Sequence, residues 1–375
     1  MIKVLHVYKT SWLDSYGGVE TSLKNLTENI AKNKDFEIKV LFLSSKTPIK
    51  KTVNNVHYKS FRQNIFIASC PFSWSFFMNF RKEIAWADII HYHFPWPFAD
   101  FLFFLFFKFK KITLVTYHSD IVRQRFFLFL YKPLMSFFLN NVNLIVATSP
   151  HYKKSSSTLL RFKDKTRVIP LGLNLNDYPN PSSDLLARWK RRINGDYFIF
   201  IGVLRYYKGI DILINAAKYQ NFKVVIVGSG PLESLVKNRI IEEKIENIIL
   251  LSRVGELDKH ALIKNSIGLV LPSIFRSEAF GMTLLEGAIF SKPLISSDME
   301  SGMSYIIKNN ISGFLLPPKD FNSLKESLLF IYKNKKKARS MGIESRKRFN
   351  KLFNIDIVGS RYTELYNKLI QSKIK

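Results

Sequence analysis

The feature that most constrains this chain is an alternation of apolar, strand-like runs with stretches of helical spacing, which ends near the middle and then begins again. In the first half, residues 3–8, 38–43, 89–92, 113–117 and 143–147 are nearly continuous in apolar residues. A strand covered on both faces reads this way, whereas a half-exposed strand alternates. Between them lie helix-spaced segments such as 21–32. In the second half, 197–203, 223–227, 248–251, 268–271 and 294–296 repeat the strand pattern, with a helical stretch at 210–218. Such alternation is the mark of βαβ units on a parallel sheet. It predicts an α/β fold of two Rossmann-like domains facing across a cleft, 1–180 and 190–350. Residues 174–194, rich in Asn, Pro, Ser and charge, read as the linker. A last helix at 356–375 carries Tyr362, Leu365, Tyr366 and Leu369 at helical spacing. A length of 375 residues suits two domains, and ligands of such sheets bind at the carboxyl ends of the strands.

Composition narrows the function classes. Apolar residues make up 47% of the chain, so a sizeable core is available. A lone cysteine, Cys70, has no internal disulfide partner, which fits a buried thiol in a reducing compartment. The first residues read as a strand and not as a signal peptide. A membrane span needs about 20 apolar residues. The greasiest stretches fall short: 101–107 is flanked by Asp100 and Lys108, and 126–139 holds Lys132 and Pro133. The formal charge is +28, from 57 Lys+Arg against 29 Asp+Glu. That excess favours polyanionic partners: an anionic membrane, phosphorylated small molecules or nucleic acid. The basic residues are scattered, and no nucleic-acid-binding motif is present, so nucleic acid is not the expected partner.

Five segments concentrate residues suited to phosphate and hydroxyl chemistry. Residues 277–287, after the strand-like 268–271, contain Glu278, Ala279, Phe280, Gly281, Met282, Thr283 and Glu286. A helix is expected to begin near Gly281, and its unpaired first amides suit a diphosphate. Glu278 and Glu286 are suited to accept hydrogen bonds from sugar or ribose hydroxyls, or they are a capping acid and a solvated helix acid. The loop 202–209 carries Arg205 and Lys208 between two glycines, where a guanidinium fork and a compact ammonium suit a diphosphate; solvated loop cations are the alternative. Gly17 and Gly18 open the first helix, either to admit an anion or as a tight turn. His118 ends a buried strand in Thr116-Tyr117-His118-Ser119-Asp120, as a ligand or a structural residue. Gly228 and Gly230 make a sharp turn after a strand, and Arg253 and Val254 end another. His91 and His93 lie two apart on a strand, and with no third ligand in view no metal site is expected.

In this order the segments resemble the large retaining glycosyltransferase family known as family 4, whose E-x7-E signature matches Glu278 and Glu286. The resemblance runs from Gly17-Gly18 to the final helix. It implies the GT-B fold, a final helix packed back on the first domain, and packing roles for Phe353 and Tyr362. It implies that Glu278 and the amides of Ala279, Phe280, Gly281, Met282 and Thr283 hold the donor sugar, and that Glu286 holds the ribose. Arg205 and Lys208 would bind the diphosphate, in place of a metal. Gly17 and Gly18 would border the donor phosphates and acceptor. Gly228, Gly230, Arg253 and Val254 would border the base, and His118 the donor sugar. The catalytic candidates are His118, Glu278, Arg205 and Lys208. Family members commonly carry Arg where this chain has Val203; in extended backbone Arg205 shares that face. Ser119-Asp120-Ile121-Val122-Arg123-Gln124, with Ser149, Pro150 and Tyr152, resembles a bacterial polysaccharide and lipopolysaccharide subgroup that includes mannosyltransferases. The donor implied is GDP-mannose, with UDP-sugars as the alternative, and no cofactor. The acceptor implied is a lipid-linked glycan, in O-antigen or other surface polysaccharide synthesis. The Phe-rich stretches beside Lys and Arg suit a cytoplasmic protein lying on an anionic leaflet, or are ordinary core helices.

Overall fold

The computed structural model describes every residue except Tyr16, Ser69, 122–124 and Lys375, and only the backbone of 125–128 and 373–374. Val122, Arg123 and Gln124 of the subgroup motif, and Tyr16 beside the glycine pair, therefore lie outside the described residues. The chain divides into two compact units, one made of 1–173 with 355–375 and the other of 174–354.

The first unit contains β1 (Ile2–Val7), α1 (Gly18–Ile30), β2 (Phe36–Ser44), β3 (Lys50–Val53), β4 (Val56–Arg62), β5 (Ile65–Ile67), β6 (Cys70–Phe72), α2 (Trp74–Trp86) and β7 (Ile89–Phe94). It continues through α3 (Pro97–Phe106), β8 (Ile112–Tyr117), α4 (Arg125–Asn141), β9 (Leu144–Ala147), α5 (Pro150–Ser155), α6 (Ser157–Leu160) and β10 (Thr166–Val168). Eight strands form one sheet in the order β10-β9-β8-β7-β1-β2-β4-β3. All pair in parallel except β3, which turns back on β4 through Asn54 and Asn55, both at positive φ. Asn tolerates that conformation, and two such residues match the twist of a hairpin.

The second unit begins earlier than the sequence suggests. Residues 174–194 are not a linker: they contain α7 (Ser183–Ile193), capped by the Ser182 side chain on the Leu185 amide. Trp189 and Ile193, four apart, are buried, and the polar residues between them face water. Such a helix is polar in composition and apolar in one stripe, which is why it reads as a linker. Then follow β11 (Tyr197–Ile201), α8 (Ile210–Ala217), β12 (Lys223–Val227), α9 (Glu233–Glu242), β13 (Ile248–Leu251), α10 (Glu256–Asn265) and β14 (Gly268–Leu271). The unit closes with α11 (Met282–Ile289), β15 (Leu294–Ser297), α12 (Gly302–Ile306), β16 (Gly313–Leu316), α13 (Phe321–Lys333) and α14 (Lys335–Leu352). Its six strands are all parallel, in the order β13-β12-β11-β14-β15-β16.

The final helix, α15 (Ile355–Ile374), belongs to the first unit. Ile355, Val358, Tyr362 and Tyr366 join the core formed by β1, β2 and α1. Phe353, just before it, packs in the second unit against Phe280 and Tyr305. Cys70 is buried, and burial pushes its thiol up to about 11.

Candidate active site

In the second unit, strand order reverses between β11 and β14, the strands that start the two halves of the sheet. Loops leaving such a switch point diverge above and below the sheet and leave room for a ligand. The loop after β11 carries Arg205 and Lys208; the loop after β14 carries Glu278. The structure brings Lys208 and Glu278 into an ion pair, with side chains only 11% and 13% exposed. A backbone bond, Ile274 N to Tyr207 O at 2.8 Å, ties the loops together. Arg205 lies in extended backbone and is exposed, as is Val203, while Leu204 between them is buried. Residues 203 and 205 thus share the outward face.

Gly281 sits at φ +82, immediately before α11, with no side chain capping the helix. A Cβ there would meet Met303 Cγ at 2.8 Å, so the turn requires glycine. Met282 and Thr283 open α11, and amides in the first turn of a helix have no intrahelical partner. The Phe280 side chain is not at this surface. It is buried against Phe353, so only its backbone is available to a ligand.

Glu286 lies one turn further along α11. Its Oε1 accepts from Tyr178 Oη at 3.1 Å and from Lys259 Nζ at 3.1 Å. Its Oε2 is buried with no partner, as is Thr283 Oγ1. A buried carboxylate oxygen with no donor is costly, and a ribose hydroxyl would satisfy it. Burial works against the charge on Lys259, but Glu286 and Glu256 outweigh it and raise its pKa above the ordinary lysine value. Burial and the Glu286 carboxylate push the Tyr178 phenol well up. Sequence reasoning missed both partners. Tyr178 falls in the supposed linker, and Lys259 is one lysine among many.

Gly228 and Gly230 have a packing reason for being glycine. Leu204 N donates to Ser229 O at 2.9 Å and Gly202 N to Val227 O at 3.0 Å, which lays the two loops against each other. A Cβ on Gly228 would stand 2.0 Å from Gly202 O, and one on Gly230 2.8 Å from Leu204 N. The turn therefore braces the Arg205–Lys208 loop. Arg253 and Val254 follow β13, Arg253 exposed and Val254 half-buried.

In the first unit the order reverses between β1 and β7. Gly17 precedes α1 in extended backbone, and Gly18 is its first residue. A Cβ on Gly17 would lie 2.2 Å from Glu20 Oε2, so this pair admits the chain's own carboxylate. Burial raises the pKa of Glu20, opposed by Lys9. His118, at the end of β8, is buried, and its Nε2 lies 3.0 Å from His93 Nδ1. Burial, then the charge of Lys9, pulls its pKa down to about 3. Neighbouring Asp120 is structural: its carboxylate accepts from Tyr117 Oη at 2.8 Å and Ser156 Oγ at 2.7 Å. Ser149 caps α5 on the Tyr152 amide at 2.9 Å, and Tyr152 is buried.

The expectation that His91 and His93 have no third imidazole is corrected by His6, which β1 places opposite His91 in register. One nitrogen from each of the three rings lies within 4.8 Å of the other two. The rings are committed to one another and to His118, Tyr366 Oη and Thr116 Oγ1. Of these three rings only His6 Nε2 has no hydrogen-bond partner.

The two units also match known proteins. A model of glycosyltransferase family 4 matches residues 16–177, and one of glycosyl transferases group 1 matches 185–348. The chain is 39% identical over 373 residues to the O-antigen chain mannosyltransferase C of Escherichia coli, covering 99% of this chain and 100% of that one. The chain belongs to glycosyltransferase family 4. The D-rhamnosyltransferase WbpZ of Pseudomonas aeruginosa is 40% identical to this glycosyltransferase over 354 residues, 94% of this chain and 92% of the relative. Sucrose-phosphate synthase from Thermosynechococcus elongatus superposes with a TM-score of 0.79 at 18% identity, covering 99% and 100% of the two chains. Anabaena Alr3699/HepE in complex with UDP-glucose does so at 0.76 and 16%, covering 98% and 100%. The fold of this glycosyltransferase is accordingly GT-B, with two Rossmann-like domains.

Proposed function

We propose that this glycosyltransferase moves mannose from GDP-mannose to a lipid-linked oligosaccharide during O-antigen synthesis, with retention of configuration. One observation supports the donor class above others. The unpartnered Glu286 Oε2 lies on the same short helix whose free amides follow Gly281, beside the Lys208–Glu278 pair. That is an acceptor for a ribose hydroxyl next to donors and a cation for a diphosphate.

In this reading Arg205, Lys208 and the α11 amides hold the diphosphate and stabilise the negative charge that grows on it as the sugar leaves. Glu278 orients Lys208 and accepts from sugar hydroxyls. The bond from the anomeric carbon to the phosphate oxygen breaks. A bond to the acceptor hydroxyl forms on the same face, and the acceptor proton passes to the departing phosphate. Mannose is taken from the Escherichia coli relative. The rhamnosyltransferase relative, at nearly equal identity, favours a 6-deoxyhexose as the second reading.

The acceptor's lipid is supported by an apolar surface on the first unit. On α3, Leu102 and Phe103 are core, while Phe101, Phe104 and Leu105 are exposed. On α4, Phe138 and Leu139 are core and Phe129 is 75% exposed. Ile65, Phe66 and Ile67 of β5, with Trp74 (70% exposed) and Met78 (73%) of α2, add to it. A groove of about 340 Å³ lies among Ile65, Phe72, Trp74, Phe77, Phe98 and Phe101. Exposed Arg81 and Lys82 lie on α2, and exposed Lys108 follows the end of α3. No helix among the described residues is long and apolar enough to cross a membrane. An aromatic surface beside cations suits peripheral seating on the anionic inner leaflet of the cytoplasmic membrane. The test is release of nucleoside diphosphate from GDP-mannose, a GDP-6-deoxyhexose and UDP-sugars, with and without a lipid-diphosphate-linked glycan. Turnover on UDP-sugars alone would reject the donor proposed.

A further inference from the structure

Behind His118 the first unit buries a row of imidazoles that crosses three neighbouring strands, β1, β7 and β8. His6 Nδ1 lies 3.1 Å from His93 Nε2, and His93 Nδ1 lies 3.0 Å from His118 Nε2. The rings are stacked, His6 on His93 with centroids 5.4 Å apart and His93 on His118 with 5.3 Å. His91 stands beside the row but is locked elsewhere, its nitrogens 2.7 Å from Tyr366 Oη and 2.7 Å from Thr116 Oγ1. Thr116 in turn meets Tyr362 Oη at 2.9 Å. The polar face of the strands and the two tyrosines of α15 thus fix the row from one side.

A neutral imidazole has one N–H and one bare nitrogen. Burial holds all four rings neutral, with His6 and His118 lowered to about 3 and His91 and His93 held well below the ordinary histidine value. The titratable groups acting on His91 and His93 are other rings of the four, and on His118 it is Lys9. His93 therefore donates at one nitrogen and accepts at the other, and every N–H in the row points the same way. The two end atoms, His6 Nε2 and His118 Nδ1, are both buried without a protein partner. In one direction His6 ends in a bare nitrogen and His118 in Nδ1–H. In the other, His6 carries an unpartnered N–H deep in the sheet. Each direction leaves one buried N–H without a protein partner. His6 is fully buried, whereas His118 is 6% exposed and stands at the carboxyl end of β8, where ligands of such a sheet bind. A ligand can satisfy an N–H there but not one on His6, so the first direction is favoured and a donor is left at the end of β8.

We propose that His93, backed by His6, is a positioning residue that holds His118 in the Nδ1–H tautomer, so that the end of β8 offers a neutral hydrogen-bond donor to a hydroxyl or phosphate oxygen of the substrate. The part that concerns substrate rests on the sugar-transfer reading above; the tautomer does not.

Two measurements on the full chain test it. In protein labelled with ¹⁵N-histidine, long-range ¹H–¹⁵N spectra distinguish the two tautomers, and a His118→Asn variant assigns the signals. The expected result at neutral pH is His118 in the Nδ1–H form. The Nε2–H form, an equal mixture, or a doubly protonated ring overturns the proposal, whether or not the protein transfers sugar. The second measurement compares His93→Gln with His93→Leu. A glutamine can accept from His6 through its carbonyl and donate to His118 through its amide; leucine can do neither. His93→Leu is expected to lower kcat by roughly 10- to 100-fold, as when a histidine's orienting partner is lost. The donor KM should move by no more than about threefold, because His93 itself does not touch the donor. His93→Gln should keep most of kcat. Unchanged kcat in His93→Leu, or equal damage in both variants, overturns the proposal. If His93→Leu does not fold, the wild-type spectrum alone decides.

Discussion

Replacing Lys208 by Met tests whether the cation at the switch point of the second unit drives transfer. The change keeps the length of the side chain and deletes its charge. Two effects follow from the geometry. The first is on turnover. A unit charge about 4 Å from an anionic phosphate, at an effective dielectric near 20, is worth about 4 kcal/mol. Loss of one preorganised donor to a developing charge typically costs about 100- to 1000-fold in kcat. Arg205, exposed and two positions past the usual arginine, offsets little of that loss. The second effect is on stability. Glu278 is only 13% exposed and Lys208 is its partner, so Lys208→Met strands a largely desolvated carboxylate at a cost of roughly 1–3 kcal/mol. Adding Glu278→Gln removes the stranded charge. A double-mutant cycle should then return a coupling of about 1–3 kcal/mol in urea unfolding, while nucleoside-diphosphate release stays low. Turnover of Lys208→Met within about threefold of wild type would refute the electrostatic argument. Zero coupling would refute the ion pair.

Glu286→Gln keeps the bonds from Tyr178 and Lys259 within reach but puts an amide where the ribose is read to bind, so the donor KM should rise about tenfold or more with a smaller change in kcat; an unchanged KM removes Glu286 from the site. Gly228→Ala forces a Cβ to within 2.0 Å of Gly202 O at a φ of +148, and should cost roughly 2–4 kcal/mol in unfolding free energy; a cost below about 0.5 kcal/mol would deny that the turn braces the loop. Acid should destabilise the first unit. The four buried histidines have folded pKa values below the unfolded 6.5, so their contribution is present above pH 6.5 and is lost as pH falls toward 3, at up to about 1.4 kcal/mol per pH unit for each ring. Asp100, raised to about 8 chiefly by burial, acts in the opposite sense between pH 4 and 8, but it is one group against four. Chemical denaturation from pH 6.5 to 5 should therefore show falling stability, and a flat profile would contradict the buried neutral row. Trp74→Glu with Phe101→Glu should abolish co-sedimentation with vesicles of anionic lipid without changing the unfolding midpoint by more than a few degrees; retained binding would move the membrane contact elsewhere.

The sequence by itself determined the two α/β units, most central strands and the loops that carry Arg205, Lys208, Glu278 and Glu286. The physical reason is that buried parallel strands must be apolar throughout, and glycines and acids at strand ends are local signals. Elements at the sheet margin were harder to read. Lys50–Val53 is exposed and charged because it is an edge strand, although Asn54-Asn55 is a hairpin signal. The helix Ser183–Ile193 was hidden because only Trp189 and Ile193 of it are buried. What only the tertiary structure decided are pairings of residues distant in sequence. Tyr178 and Lys259 converge on Glu286, Lys208 meets Glu278, and β1 carries His6 to the side of His93. No local periodicity encodes such contacts, because they are set by the order in which strands lie side by side and by the helices that cover them.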